Sequence, residues 1–138
     1  MLRRWKLLSI LATLLIVALV GVGCLATAPH AVETYHLSGP YRVEVYRGGR
    51  LVKESELVVG SADERAVATW LASHREGWQP SFVSYAPGRM ICGDGFNLNL
   101  RPGGLCVLNY GLNVNPQQVV RQVSASETEA LMAATGGE

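Results

Sequence analysis

The chain has 138 residues, twelve of them Lys or Arg and eleven Asp or Glu, for a formal net charge of +1. Three of the cations, Arg3, Arg4 and Lys6, stand at the extreme N-terminus, so the remainder carries nine basic against eleven acidic groups, a net charge of −2. No basic stripe stands out, which argues against a nucleic-acid partner, and the ~110 residues behind the leader suffice for one small domain with a single core.

The chain opens "MLRRWKLLSILATLLIVALVGVGCLATAPH", in which Leu7 to Ala28 form 22 residues without a charge. A run of that length can cross a bilayer, and the basic head holds the N-terminus in the cytoplasm. Everything after about residue 30 is therefore expected outside the cytoplasm, with residues 1–24 as signal or anchor. The stretch "LVGVGC" resembles the lipobox of bacterial lipoproteins, in which small or aliphatic residues precede a cysteine that is lipidated and becomes the new N-terminus. Gly23 fits that pattern, whereas Gly21 stands where leucine is favoured. The resemblance is confined to the targeting segment. It implies acylation of Cys24, palmitate included, and, with Leu25 rather than aspartate next, an outer-membrane lipoprotein facing the periplasm. The alternatives are an uncleaved single-pass inner-membrane anchor with its C-terminus outside the cytoplasm, and a soluble secreted form. Ala26 and Ala28 have the spacing for conventional cleavage, but Pro29 would follow the cut.

Residues 25–40, with Pro29 and the Ser38-Gly39-Pro40 break, read as a tether, and 41–114 as the domain core. "YRVEVY" alternates Tyr41, Val43 and Val45 against Arg42, Glu44 and Tyr46, the pattern of a half-buried strand. Gly48-Gly49 supplies a two-residue hairpin turn. The return strand, Arg50 to Val59, has a charged centre, "KESE", suited to an edge. The spacing then predicts a helix in "SADERAVATWLASHREG", with Ser61 and Glu64 as capping box and Val67, Trp70, Leu71 and His74 on one face. Gly77 and Pro80 end it, with Trp78 folding back on its last turn.

"SFVSYA", "RMIC" and "FNLNL" read as further strands, and Pro102-Gly103 as a turn that sets Leu100 opposite Leu105, Leu98 opposite Val107 and Cys106 opposite Asn99. From Asn115 a C-terminal helical segment, 115–138, is expected: "NPQQVVRQV" begins with a cap and Pro116 at the first position. A second short helix, "SETEALMAA" behind cap Ser126, follows, with a frayed end. The expected fold class is α+β, a small antiparallel sheet of about four or five strands with one well-capped helix packed on it and weaker C-terminal helices.

Three cysteines is an odd number for an exported chain. Lipidation of Cys24 leaves Cys92 and Cys106 as an even pair in an oxidising space. A simple meander would hold them two strands apart, roughly 9–10 Å, beyond the ~7 Å that a bridge allows between Cα atoms. Meander and bridge exclude each other. The bridge is the expectation, with "GDGFNLNLRPGG" as the excursion it closes.

Chemistry is sparse. His74 is the one histidine within the domain core, and its place at a helix end is explained by packing and the helix dipole. Metal motifs such as CxxC or HExxH are absent, so no metal or cofactor is expected. Glu54 and Glu56 share a strand face, as edge charges do. Asp94 sits in a Gly-Asp-Gly turn without the alternating acids of a calcium loop. A braced glycine-rich loop is a suitable display surface, which nominates Asp94, Asn97, Asn99 and Arg101 for binding, with Tyr46 as an exposed aromatic. The functional expectation is a non-enzymatic, membrane-tethered, periplasm-facing binding module of the cell envelope. It would serve a protein partner as an accessory subunit or as an inhibitor- or immunity-type protein. The competing class is a small thiol-dependent enzyme using Cys92 or Cys106.

Overall fold

Val43 and Val45 alternate with charged neighbours, and that pattern forms the first hairpin: β1 (Arg42–Arg47) and β2 (Arg50–Glu56), joined by Gly48-Gly49. Both glycines take positive φ, +55° and +76°, as a tight primed turn requires. In the computed structural model Val32 and residues 37–136 are described. The leader, with Cys24 and its lipobox-like run, lies outside the described residues. Among the described residues no helix is long and apolar enough to cross a membrane. Val32 is buried and donates its N–H to the Arg75 carbonyl, and Leu37 packs against the core. The globular part thus reaches back into the expected tether.

The fold is α+β, but the sheet has seven antiparallel strands rather than four or five, in the order β2-β1-β4-β5-β6-β7-β3. After β2 the chain forms α1 (Ala62–Ser73), pairs briefly at the far edge as β3 (Gln79–Pro80), and returns to the middle as β4 (Arg89–Gly93). It then runs as a meander through β5 (Phe96–Leu100), β6 (Leu105–Tyr110) and β7 (Gln117–Gln122) into α2 (Ala125–Ala134). Two strands escaped the sequence reading. β3 is two residues long. β7 occupies the segment expected to be helical from Asn115: its Val119 and Val120 pair with Leu108 and Val107 across β6, and β-branched side chains on an available sheet outweigh an N-terminal helix signal.

Alternation along β4, β5 and β6 assigns the two faces. Ile91, Leu98 and Leu108 form one register row with Val119 behind, and Phe96, Leu100, Cys106 and Tyr110 share their face. All are buried, and with Val67 and Leu71 of α1, Leu131 of α2, Tyr41 and Trp78 they make the core. Both helices lie on this face. Ser61 caps α1 through the Glu64 N–H at 3.1 Å, but the Ser61 N–H goes to the Val58 carbonyl, so the capping box is incomplete. The full box closes α2 instead, from Ser124 rather than Ser126: Ser124 Oγ accepts from Glu127 N, and Glu127 Oε2 accepts from Ser124 N at 2.9 Å.

Two side chains bind the helices to their surroundings. His74, the C-cap of α1, stacks on Trp70 at 4.1 Å and reaches Glu127 Oε1 through Nε2 at 3.1 Å. Arg89 of β4 donates to the carbonyls of Met132, Thr135 and Gly136 at the end of α2, the place where a helix favours a cation.

Two outcomes follow. A Cβ at Gly93 would overlap the ring of its register partner Phe96, which is buried and has no room to withdraw. Gly93→Ala is expected to lower stability by ~1–3 kcal/mol, read as a shifted urea midpoint. The Ser124 hydroxyl, its backbone N–H and His74 hold the Glu127 carboxyl down at about 2, against an ordinary 4.5. A lowered folded value stabilises the fold fully above pH ~4.5 and is lost as pH falls toward 2. Glu127→Gln should therefore flatten the stability profile between those limits, read as urea midpoints measured from pH ~2 to ~5.

Candidate functional site

The sheet face without helices is polar, and the register arranges it in two rows. One row runs Glu56, Arg42, Cys92, Asn97, Asn109 and Gln118. The next runs Glu54, Glu44, Met90, Asn99, Val107 and Val120. Residues 81–88 cross part of this face as an extended strap on the way from β3 to β4. Gln118 Nε2 holds the strap by the carbonyls of Ser81 and Val83 at 3.2 and 2.8 Å. Further along, Asn99 accepts from Gly88 N at 2.9 Å and donates to the Ala86 carbonyl at 3.1 Å. Arg101 also donates to that carbonyl and places its guanidinium 6.0 Å from the Tyr85 ring centre. Beneath this part of the face Val107 is 1% exposed.

The five nominated residues therefore have distinct settings. Asn99 is 4% exposed and spends its amide on the strap, so it acts as a clamp on this chain's own backbone. Arg101 does the same. Asp94 is exposed in the β4–β5 turn and accepts from Asn113 at 3.0 Å. Tyr46 is half-buried rather than exposed, and its hydroxyl donates to Glu44 Oε2 at 2.8 Å. Asn97 stays on the uncovered part of the face, where its Oδ1 accepts from Asn109 Nδ2 at 2.8 Å. Beside that pair, Arg42 meets Glu44 at 2.8 Å and Glu54 at 3.3 Å. "GFNLNLRPGG" is thus the middle strand of the sheet and one tight turn, not a loop excursion.

The cysteines are unbridged. The meander separates them by β5, and the register adds a second obstacle. Pro102–Gly104 forms a short turn in which Arg101 N meets the Leu105 carbonyl at 3.0 Å, with Gly103 and Gly104 both at positive φ. Leu100 then pairs with Cys106, and Leu98 with Leu108. That is one residue away from the expected pairing, and a one-residue slip exchanges the faces. Cys106 consequently points into the helix-side core while Cys92 stands on the open face. Burial pushes the Cys106 thiol up to about 12. Burial and the Glu44 carboxylate also raise Cys92, against an opposing pull from Arg42. An activated nucleophile needs the opposite shift, and His74 is engaged with Glu127 on the helix side.

Two depressions border the sheet, the first at the Arg42–Cys92 row and the second on the helix side. A small one of ≈ 180 Å³ lies between Pro40, Arg42, Glu56 and Cys92. A larger groove of ≈ 660 Å³ runs beside the end of the first hairpin, past Val45, Val52, Lys53, Leu100 and Met132. Among the described residues no group of three or more His, Cys, Asp or Glu side chains is placed to hold a metal ion.

Sequence reading missed Asn109 and Gln118, whose alternation in "LCVLNY" and "QQVVRQ" is masked by apolar residues on both faces. It also missed the strap, because "SFVSYA" has the composition of a strand. The strap leaves two apolar side chains in solvent: Phe82 is 99% exposed and Val83 60%. Comparison with protein-family models, with curated proteins and with solved structures finds no match to this chain.

Alkylation of the native chain without reductant should label Cys92 slowly and Cys106 only after unfolding. Intact mass should show the same label uptake with and without prior reduction. Extra label only after reduction would restore the bridge.

Proposed function

We propose that this chain is a membrane-tethered interaction module of a bacterial cell envelope, facing the periplasm, and that it receives a protein partner on the open face of its sheet. The observation that carries the reading is Phe82. It is almost wholly in water, yet its backbone neighbourhood is pinned by Gln118, Asn99 and Arg101 side chains. Covering an aromatic side chain of this size is worth about 1.5–3 kcal/mol, and a preordered segment loses little entropy when it is covered. Large exposed aromatics of this kind serve as interface anchors. Val83 beside it and the Asn97–Asn109 pair on the uncovered rows supply an apolar centre with hydrogen-bonding groups around it, which is how interfaces are composed.

The lipobox-like "LVGVGC" supports tethering through acylated Cys24, with an outer-membrane lipoprotein as the favoured form and a single-pass inner-membrane anchor as the alternative. An accessory subunit or an inhibitor- or immunity-type protein fits this architecture. A thiol enzyme fits less well, because burial raises both thiols and neither cysteine has a histidine as hydrogen-bond partner among the described residues.

The test is a photo-crosslinking amino acid at Phe82 of the full chain in envelopes of its own host, with the same group at Asp63 of α1 as control. One discrete adduct from position 82, absent from position 63 and lost when Val83→Asp is added, is the expected result. Equal or no adducts from the two positions would refute the open face as the interface.

A further inference from the structure

Charge on the domain is unevenly distributed, and the first hairpin shows it best. "VYRGGRLVK", Val45 to Lys53, holds Arg47, Arg50 and Lys53 and no acid. The acids on either side are already engaged: Glu44 is bound by Arg42 and Tyr46, and Glu54 lies 3.3 Å from Arg42. Between these cations Leu51 and Val52 are 46% and 54% exposed. β2 is the edge of the sheet, and the register shifts between Val45 and Tyr46, so Val52 is the extra residue of a bulge. A bulge twists an edge away from strand pairing, which disfavours β-augmentation there.

The groove of ≈ 660 Å³ makes the same electrostatic statement. Its walls include Val45, Val52, Leu100, Pro102 and Met132, its cations are Arg47, Lys53 and Arg89, and none of its described lining residues is acidic. Aliphatic side chains interleaved with cations at a rigid tip match a surface with anionic groups outside and hydrocarbon beneath.

We propose that the tip of the β1–β2 hairpin, Arg47 to Lys53, docks on an anionic phospholipid bilayer, with Arg50 and Lys53 at the headgroups and Leu51 and Val52 in the interfacial layer. The inference rests on the tethered reading above and adds which end of the domain meets the lipid. The tether makes a weak contact sufficient, because it turns docking into a local equilibrium at high effective concentration. Each Lys or Arg near an anionic surface strengthens such a contact by about fivefold. The open face with Phe82 is built from other residues and stays available to a partner.

The experiment uses the full chain reconstituted in vesicles of phosphatidylcholine alone or mixed with phosphatidylglycerol. Flotation reads the tether, and amide hydrogen exchange over residues 46–54 reads the tip. The chain is expected to float with both vesicle types. Exchange at the tip should slow severalfold only with phosphatidylglycerol, and Arg50→Glu with Lys53→Glu should cancel the slowing by at least about tenfold in contact strength, while exchange in β5 and β6 is unchanged. Equal exchange at the tip on both vesicle types would overturn the proposal. So would equal protection by soluble heparin on phosphatidylcholine vesicles, which would mark a general polyanion or acidic-protein site. If the chain fails to float with phosphatidylcholine, the tether is refuted. The tip is then judged by whether phosphatidylglycerol vesicles alone bind the chain and the double substitution abolishes it.

Discussion

The two-sidedness of β5 is the constraint on which the rest of the structure depends. Phe96, Leu98 and Leu100 point to one face and Asn97, Asn99 and Arg101 to the other, in the middle of seven strands. A central strand of this composition cannot be covered by helices on both sides. Burying the amide row under apolar side chains would leave several polar groups unpaired, at about 1–3 kcal/mol each. The helices therefore share the Leu98 face. The other face is closed, where it is closed, by main chain. Strap residues 81–88 bring carbonyls and an N–H, which are the partners that Asn99 and Gln118 require.

That arrangement explains why the nominated asparagines divide as they do. Asn99 faces Met90 on one side and Val107 on the other, and it is covered, so its amide must be satisfied internally. Asn97 lies one row away, flanked by Cys92 and Asn109, beyond the reach of the strap's hydrogen bonds. Residue type alone makes the two equivalent. Their separation comes from the diagonal course of a segment whose path begins at an edge strand of two residues.

Local signals were legible in proportion to how local their physics is. The Gly48-Gly49 turn, the Ser61 cap, the α1 face of Val67 and Leu71, and the charged edge β2 each depend on neighbours within a few positions, and each reads directly from the chain. The face of Cys106 does not. It turns on whether the Pro102–Gly104 turn pairs Arg101 or Leu100 with Leu105, a difference of one residue that inverts every side chain of β6. The β7 segment shows the same limit. Asn115-Pro116 begins a helix in isolation, but beside a finished meander Val119 completes the Leu108 row and the sheet takes the segment. The clamp from Arg89 to the end of α2 joins residues more than forty positions apart, and no spacing rule announces it.

The same register argument bears on function through the sulfurs. Had Leu100 paired with Leu105, Cys106 would share the open face with Cys92, and the two sulfurs could form a redox pair there. The slip sends one sulfur into the core and leaves the other between Arg42, Met90 and Asn97, where burial and Glu44 disfavour its thiolate. With the sulfurs parted, two sets of solvent-facing groups bear on the proposals: Phe82 and Val83 on the strap, and Leu51 to Lys53 at the hairpin tip. They belong to separate segments, one crossing the polar face from β3 and the other closing β1 to β2. An apolar anchor suits a folded partner, whereas interleaved cations and aliphatics suit a lipid interface. For a domain tethered as proposed, both would serve at once, one contact setting its orientation and the other presenting what that orientation exposes.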